Sequence, residues 1–143
     1  VQVMSAGVGV THSEFNNSRK DPIHLLQIWI MPSQRGVQPS YQQKVFSEEE
    51  KMNKLCLIVS GNGRSGSLKI NQDAALYTSL LTTSSRLQYP LAPKRFGWVQ
   101  LIQGELQVNN TLLKSGDGAA VEAERVLDLH AVKASEFLIF DLA

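Results

Sequence analysis

His12 and Glu14 are separated by one residue in Val10-Thr11-His12-Ser13-Glu14-Phe15. In an extended chain successive side chains alternate between faces, so these two would project to the same side. A neutral imidazole and a carboxylate that share a face can grip one divalent ion, and their nitrogen and oxygen donors suit non-haem iron, manganese or zinc. Two donors are half a site. The other histidines do not complete it locally. His24, in Ile23-His24-Leu25-Leu26-Gln27-Ile28-Trp29-Ile30, shares a predicted strand face with Leu26, Ile28 and Ile30 and is expected as a hydrogen-bonded core residue. His130 falls on the face of Asp128 and is expected at the surface.

Other chemical patterns are weaker. Gly61-Asn62-Gly63-Arg64-Ser65-Gly66 has the glycine spacing of a dinucleotide loop, but Ser67-Leu68-Lys69-Ile70 continues it as a strand. The fingerprint requires a helix there to face the phosphates, so a plain loop is expected. Asn16-Asn17-Ser18 and Asn109-Asn110-Thr111 match the glycosylation pattern, which has no meaning in a cytoplasmic protein. Cys56 lies in an apolar run with no charged neighbour to activate its thiol, and no Ser-His-Asp arrangement suggests itself.

The elements that must position these residues read as strands. Short runs rich in Val, Ile, Leu and aromatics, punctuated by Gly, Asn, Asp and Pro, point to an all-β sandwich or barrel. Strands are expected at residues 1–4, 10–15, 23–30, 42–46, 54–59, 68–70 and 75–82, then at 86–89, 97–103, 105–108, 119–121, 126–131 and 136–142. One helical turn is expected at 47–52, where Ser47 followed by Glu50 forms a capping box. The stretch 31–41, with Pro32, Gly36 and Pro39, reads as a connection. The division expected is therefore 1–31 as a remnant of about three strands, 32–45 as linker, and 46–143 as a complete barrel. Three strands are too few to close a barrel, so the first unit is expected to be truncated, and its open edges invite pairing with a second copy.

Bulk properties exclude some classes. With 143 residues, one domain's worth of core is available. Fourteen Lys and Arg against thirteen Asp and Glu give a net charge of +1, without the basic block that nucleic acid or anionic lipid demands. No stretch approaches the roughly 18 apolar residues of a membrane helix. A single cysteine suits a reducing cytoplasm, which is the expected location.

The segment Met4-Ser5-Ala6-Gly7-Val8-Gly9-Val10-Thr11-His12-Ser13-Glu14 closely resembles the end of the first cupin in the pirin family of double-cupin proteins. His24-Leu25-Leu26-Gln27-Ile28-Trp29-Ile30-Met31-Pro32 resembles that family's strand closing the first barrel. Gly97-Trp98-Val99-Gln100-Leu101-Ile102-Gln103-Gly104 and Phe137-Leu138-Ile139-Phe140-Asp141-Leu142 resemble its second cupin. The resemblance implies a cupin-type barrel with a partial first cupin ahead of it. It implies an iron-type ion held by three histidines and a glutamate, of which His12 and Glu14 match the later pair; the strand bearing the earlier pair would precede Val1. Glu14 would also be the general base in a flavonol dioxygenase of the quercetin 2,3-dioxygenase type. With the site incomplete, the expectation for the chain is a non-catalytic binding or assembly protein that forms a homodimer through its N-terminal strands. The alternative is the metal-dependent dioxygenase. A regulatory partner role, as in eukaryotic pirins, is a third possibility by analogy of fold.

Overall fold

The computed structural model describes all 143 residues and is built almost wholly from strands. From residue 56 onward the chain folds into two antiparallel layers. In the first, β3 (Cys56–Ser60) pairs with β5 (Ala74–Leu81) and, in parallel, with the short β4 (Leu68–Lys69). Strand β10 (Val126–Leu142) joins β5 through its C-terminal half, from Ser135↔Leu81 to Leu142↔Ala74. Strand β7 (Phe96–Val108) follows, with β9 (Gly118–Val121) along its N-terminal half. The second layer uses the other halves of the same long strands. Here β6 (Arg86–Pro90) pairs with the start of β10, and β8 (Thr111–Lys114) with the end of β7.

Strands β7 and β10 thus pass through both layers and turn a corner together. The register between them shifts from Ala131 to Phe137, the mark of bulges that bend a strand. Gly104 sits at this corner with φ +100°, and a Cβ there would lie 2.1 Å from the Ala134 carbonyl oxygen. Only glycine fits the bend. Between the layers lies an apolar core of Val99, Leu101, Leu106, Leu127, Leu129, Phe137 and Ile139, all fully buried. These are alternate residues of β7 and β10, as the period of two requires. The intervening residues face outward, and on the first layer they build a second apolar cluster. Leu138, Leu76 and Ile58 are covered there by Phe46, with Val3 and Ile30 packed against them.

The helical turn forms where the capping box places it, as α1 (Glu48–Lys51). Ser47 Oγ accepts from the Glu50 amide, and the Glu50 carboxylate accepts from the Ser47 amide at 2.7 Å. Residues expected as separate strands at 97–103 and 105–108, and at 126–131 and 136–142, are single strands bent in the middle. Strand β8 was not expected, because Thr111 follows directly on the Asn109-Asn110 turn and the run is only four residues long.

The N-terminal part departs furthest from expectation. Strand β1 (Gln2–Ser5) forms and pairs with β2 (Ser40–Gln43), which lies within the stretch read as linker. The strands expected at 10–15 and 23–30 do not form. From Val10 to Pro32 no backbone–backbone hydrogen bond is made, because no neighbouring strand lies alongside. A lone strand leaves its backbone groups unpaired, and apolar patterning without a partner does not make a sheet. This segment is an irregular ribbon on the surface, tied down near Met31 and Ser33. There the Gln72 side chain donates to the Met31 carbonyl and the Ser33 amide donates to the Asn71 carbonyl. No helix is long and apolar enough to cross a membrane.

Candidate functional site

A tight turn delivers the ribbon to its place beside β1. The Gly9 amide donates to the Ala6 carbonyl at 2.8 Å, and Gly7 has φ +55°. A Cβ on Gly7 would stand 2.1 Å from the Val37 carbonyl oxygen, so the turn nests against the chain leading into β2 only because the residue is glycine. Beyond the turn, His12 and Glu14 line the wall of an open cleft of about 490 Å³. Met4 and Ser5 of β1 and Tyr41 and Ser40 of β2, register partners in the small sheet, line the same cleft. The two side chains therefore meet one cavity without the strand that was expected to align them. Both are exposed, and neither engages a hydrogen-bond or ion-pair partner.

The remaining histidines do not join them. His24 is exposed on the ribbon, correcting the expectation of a core histidine: no second layer covers residues 23–30, so its predicted face has nothing to pack against. His130 lies on β10 opposite Arg86 and Gln107, on the outer face with Asp128 as expected, and half-buried. No three His, Cys, Asp or Glu side chains anywhere in the chain are grouped closely enough to hold a metal ion. The donor chemistry of His12 and Glu14 fits a divalent cation, but one chain supplies too few donors for one.

The glycine loop 61–66 is followed by β4, with a single 3-10 turn at Arg64–Gly66 and no helix beyond it. Its context is that of a loop, as the sequence indicates. Cys56 is half-buried and free, and burial pushes its thiol above the ordinary cysteine value, the opposite of activation.

A second cleft, of about 360 Å³, opens between this loop and the ends of β5 and β10, and it holds a network that sequence reasoning missed. Arg95 donates from Nε to Asp141 at 2.6 Å and from Nη1 to Asp73 at 2.8 Å. Burial works against its charge, but the hydrogen bonds to Asp141 and Asp73 prevail and hold the guanidinium above its ordinary value. Tyr89 donates its hydroxyl to the other oxygen of Asp141 and packs its ring at 5.0 Å from that of Tyr77. Burial, then the bond to Asp141, pushes the Tyr89 hydroxyl well above its ordinary value. The signal available in sequence was Asp141 itself, one acid within the apolar run of the last strand; nothing indicated which cation would meet it.

Two layers joined by shared long strands around an apolar core define a cupin-type β-sandwich. Residues 57–142 match the family described as "Quercetinase C-terminal cupin domain", and residues 1–30 match "Pirin". The chain belongs to the pirin family. It is 42% identical over 143 residues to a Pasteurella multocida protein named as a candidate quercetin 2,3-dioxygenase, and 38% identical over 141 residues to the quercetin 2,3-dioxygenase of Escherichia coli K12. Each alignment covers 99% of this chain and 60% of the relative. The crystal structure of the bacterial pirin YhhW from Escherichia coli in complex with nickel(II) is 38% identical, with a TM-score of 0.91 over 99% of this chain and 60% of that one. The chain thus spans about three fifths of the length of the relatives it matches.

Proposed function

We propose that this chain contributes His12 and Glu14 to the divalent metal site of a protein of the quercetin 2,3-dioxygenase type. The observation that carries the reading is that both line one cleft, with both side chains uncommitted. Support comes from relatives named for that activity and from the nickel(II) complex of a pirin that aligns with nearly the whole chain. Such a metal, when bound, activates a flavonol toward dioxygen. The chain's own residues would act around that step. The Glu14 carboxylate, exposed and free, is the base for the flavonol hydroxyl proton, and β1 with Tyr41 forms the wall against which an aromatic substrate would lie. Iron is the first candidate for the ion. The cytoplasm is the proposed location, in accord with the free Cys56.

The test is metal content and turnover. Purified protein is analysed for iron, manganese and nickel and assayed for oxygen consumption with quercetin; metal that persists undiminished in His12→Ala would remove this pair from the site. A second reading, a non-catalytic binding or assembly protein, is favoured by the exposed apolar side chains of the ribbon, such as Phe15 and Trp29. It predicts no quercetin turnover even with metal bound.

A further inference from the structure

The loop Gly61-Asn62-Gly63-Arg64-Ser65-Gly66 has no phosphate-facing helix after it, yet it carries a chemistry of its own. Of the seven asparagines, Asn62 alone is followed by glycine. The side-chain carbonyl carbon of an asparagine lies within reach of the next residue's backbone nitrogen, and attack there closes a five-membered succinimide ring. A Cβ on that next residue hinders the approach, and glycine has none. The loop also leaves both reacting groups open. The Gly63 amide donates to no acceptor, so its proton is available to hydroxide. The Asn62 Nδ2 group makes no hydrogen bond, so nothing holds it as it leaves. Its Oδ1, by contrast, accepts from the Arg64 amide at 3.2 Å, and the Ser60 hydroxyl stands 3.3 Å away. Negative charge develops on this oxygen during the attack, and donors already aimed at it favour that step. Asn62 is exposed on the cleft it shares with Arg64, Asp73 and Arg95, where water reaches it. The other asparagines differ. Asn16, Asn71 and Asn109 donate from Nδ2 to Asp21, Ser5 and Val126, Asn53 is tied to Thr82, and Asn17 and Asn110 precede Ser18 and Thr111, which carry a Cβ.

We infer that Asn62 is a site of spontaneous modification, deamidated through a succinimide with Gly63 to give aspartate and isoaspartate. The Gly63 nitrogen loses its proton to hydroxide and bonds to Asn62 Cγ. The Cγ–Nδ2 bond breaks, and the amide nitrogen takes a proton from water and departs as ammonia. Water then opens the ring, at Cγ to give aspartate or at the main-chain carbonyl carbon to give isoaspartate. Water and hydroxide are the only other reactants. The participating atoms lie between Ser60 and Arg64, inside the cupin matched over residues 57–142, and the inference is independent of the metal reading. Either product adds a negative charge to the cleft wall beside Arg64 and brings the formal net charge from +1 to zero. Isoaspartate also lengthens the main chain by a methylene between Gly61 and Gly63. That loosens the Arg64 turn and the contact of its guanidinium with the Tyr77 hydroxyl.

The protein is incubated in mildly alkaline buffer, and timed samples are digested with trypsin and analysed by mass spectrometry. The tryptic peptide from Leu55 to Arg64 is expected to gain the mass difference between NH2 and OH at least tenfold faster than any other asparagine-bearing peptide, with a rate that rises with pH. The product should separate into two isomers, one of them a substrate for an isoaspartyl methyltransferase. Asn62→Gln, which would have to close a larger and slower-forming ring, should suppress the gain while circular dichroism matches the parent. A protein still unmodified here after a synthetic peptide of the same sequence has deamidated would show that the fold blocks the attack, and would overturn the inference. Gain at a comparable rate at the other asparagines would overturn it as well. A product containing aspartate alone would overturn the succinimide route.

Discussion

Arg95 ties two separate parts of the molecule to one cation. Its Nε and Nη2 reach the side chain and carbonyl of Asp141 at the end of β10, and Nη1 reaches Asp73 just before β5. Asp141 has only 13% of its side chain exposed, so removing the guanidinium strands a nearly buried carboxylate. Arg95→Ala is expected to cost about 2–4 kcal/mol in urea unfolding, most of it the desolvation of Asp141 left with the Tyr89 hydroxyl but no cation. Asp73→Ala, whose side chain is 73% exposed, should cost well under about 1 kcal/mol. Tyr89 supplies the pH dependence of this network. Folding holds its proton beyond the ordinary tyrosine value of 10.0, so the folded state binds more protons than the unfolded state in alkali. Its contribution is complete below about pH 10 and is lost as pH rises beyond it. In Tyr89→Phe the decline of stability above pH 10 should be shallower than in the parent, measured by urea midpoints at successive pH values. Equal slopes would remove Tyr89 as its source.

At the scale of elements the corner in β7 and β10 makes the fold. Gly104→Ala places a methyl group 2.1 Å from a backbone oxygen at a φ of +100°, and neither the Ala134 carbonyl nor the Ser135 backbone can retreat without breaking the bulge. A loss of at least about 2 kcal/mol is expected, read as a lower denaturant midpoint with an unchanged slope. The ribbon is the contrasting element. Arg19, Lys20 and Arg35 lie on irregular, exposed backbone, and brief trypsin treatment of the metal-free protein should cut there before any site in residues 56–142. This contrast also accounts for what could be read in advance. Alternation of Val99 and Leu101, and of Phe137 and Ile139, identifies strands because each has neighbours that reward the pattern. The capping box at Ser47 and Glu50 is wholly local and equally legible. Residues 23–30 carry as strong an apolar pattern, yet pairing is a property of two segments, and no strand of this structure lies alongside them. The site was legible as two residue types at one spacing. The Arg95 network was not, since its members lie 22 and 46 positions apart.

For the whole molecule, the sandwich and the N-terminal segment are not equals. The inner core is built from residues 81–139 with Leu55 and Tyr77 packed against it, whereas the outer cluster around Leu138 and Leu76 borrows Phe46, Val3 and Ile30 as its cover. A chain beginning at Ser40 would keep the inner core and Phe46 and lose Val3, Ile30 and the partner of β2. Partial burial of two such side chains contributes about 1–3 kcal/mol, which is less than the stability of a typical domain. That shortened protein should therefore unfold cooperatively in urea at a lower midpoint. Non-cooperative unfolding would show that residues 1–39 are integral to the sandwich, and that their apolar surface serves folding before it serves any partner. Cooperative unfolding would show that stability is held by the cupin core, with residues 1–39 adding cover to its outer cluster through Val3 and Ile30.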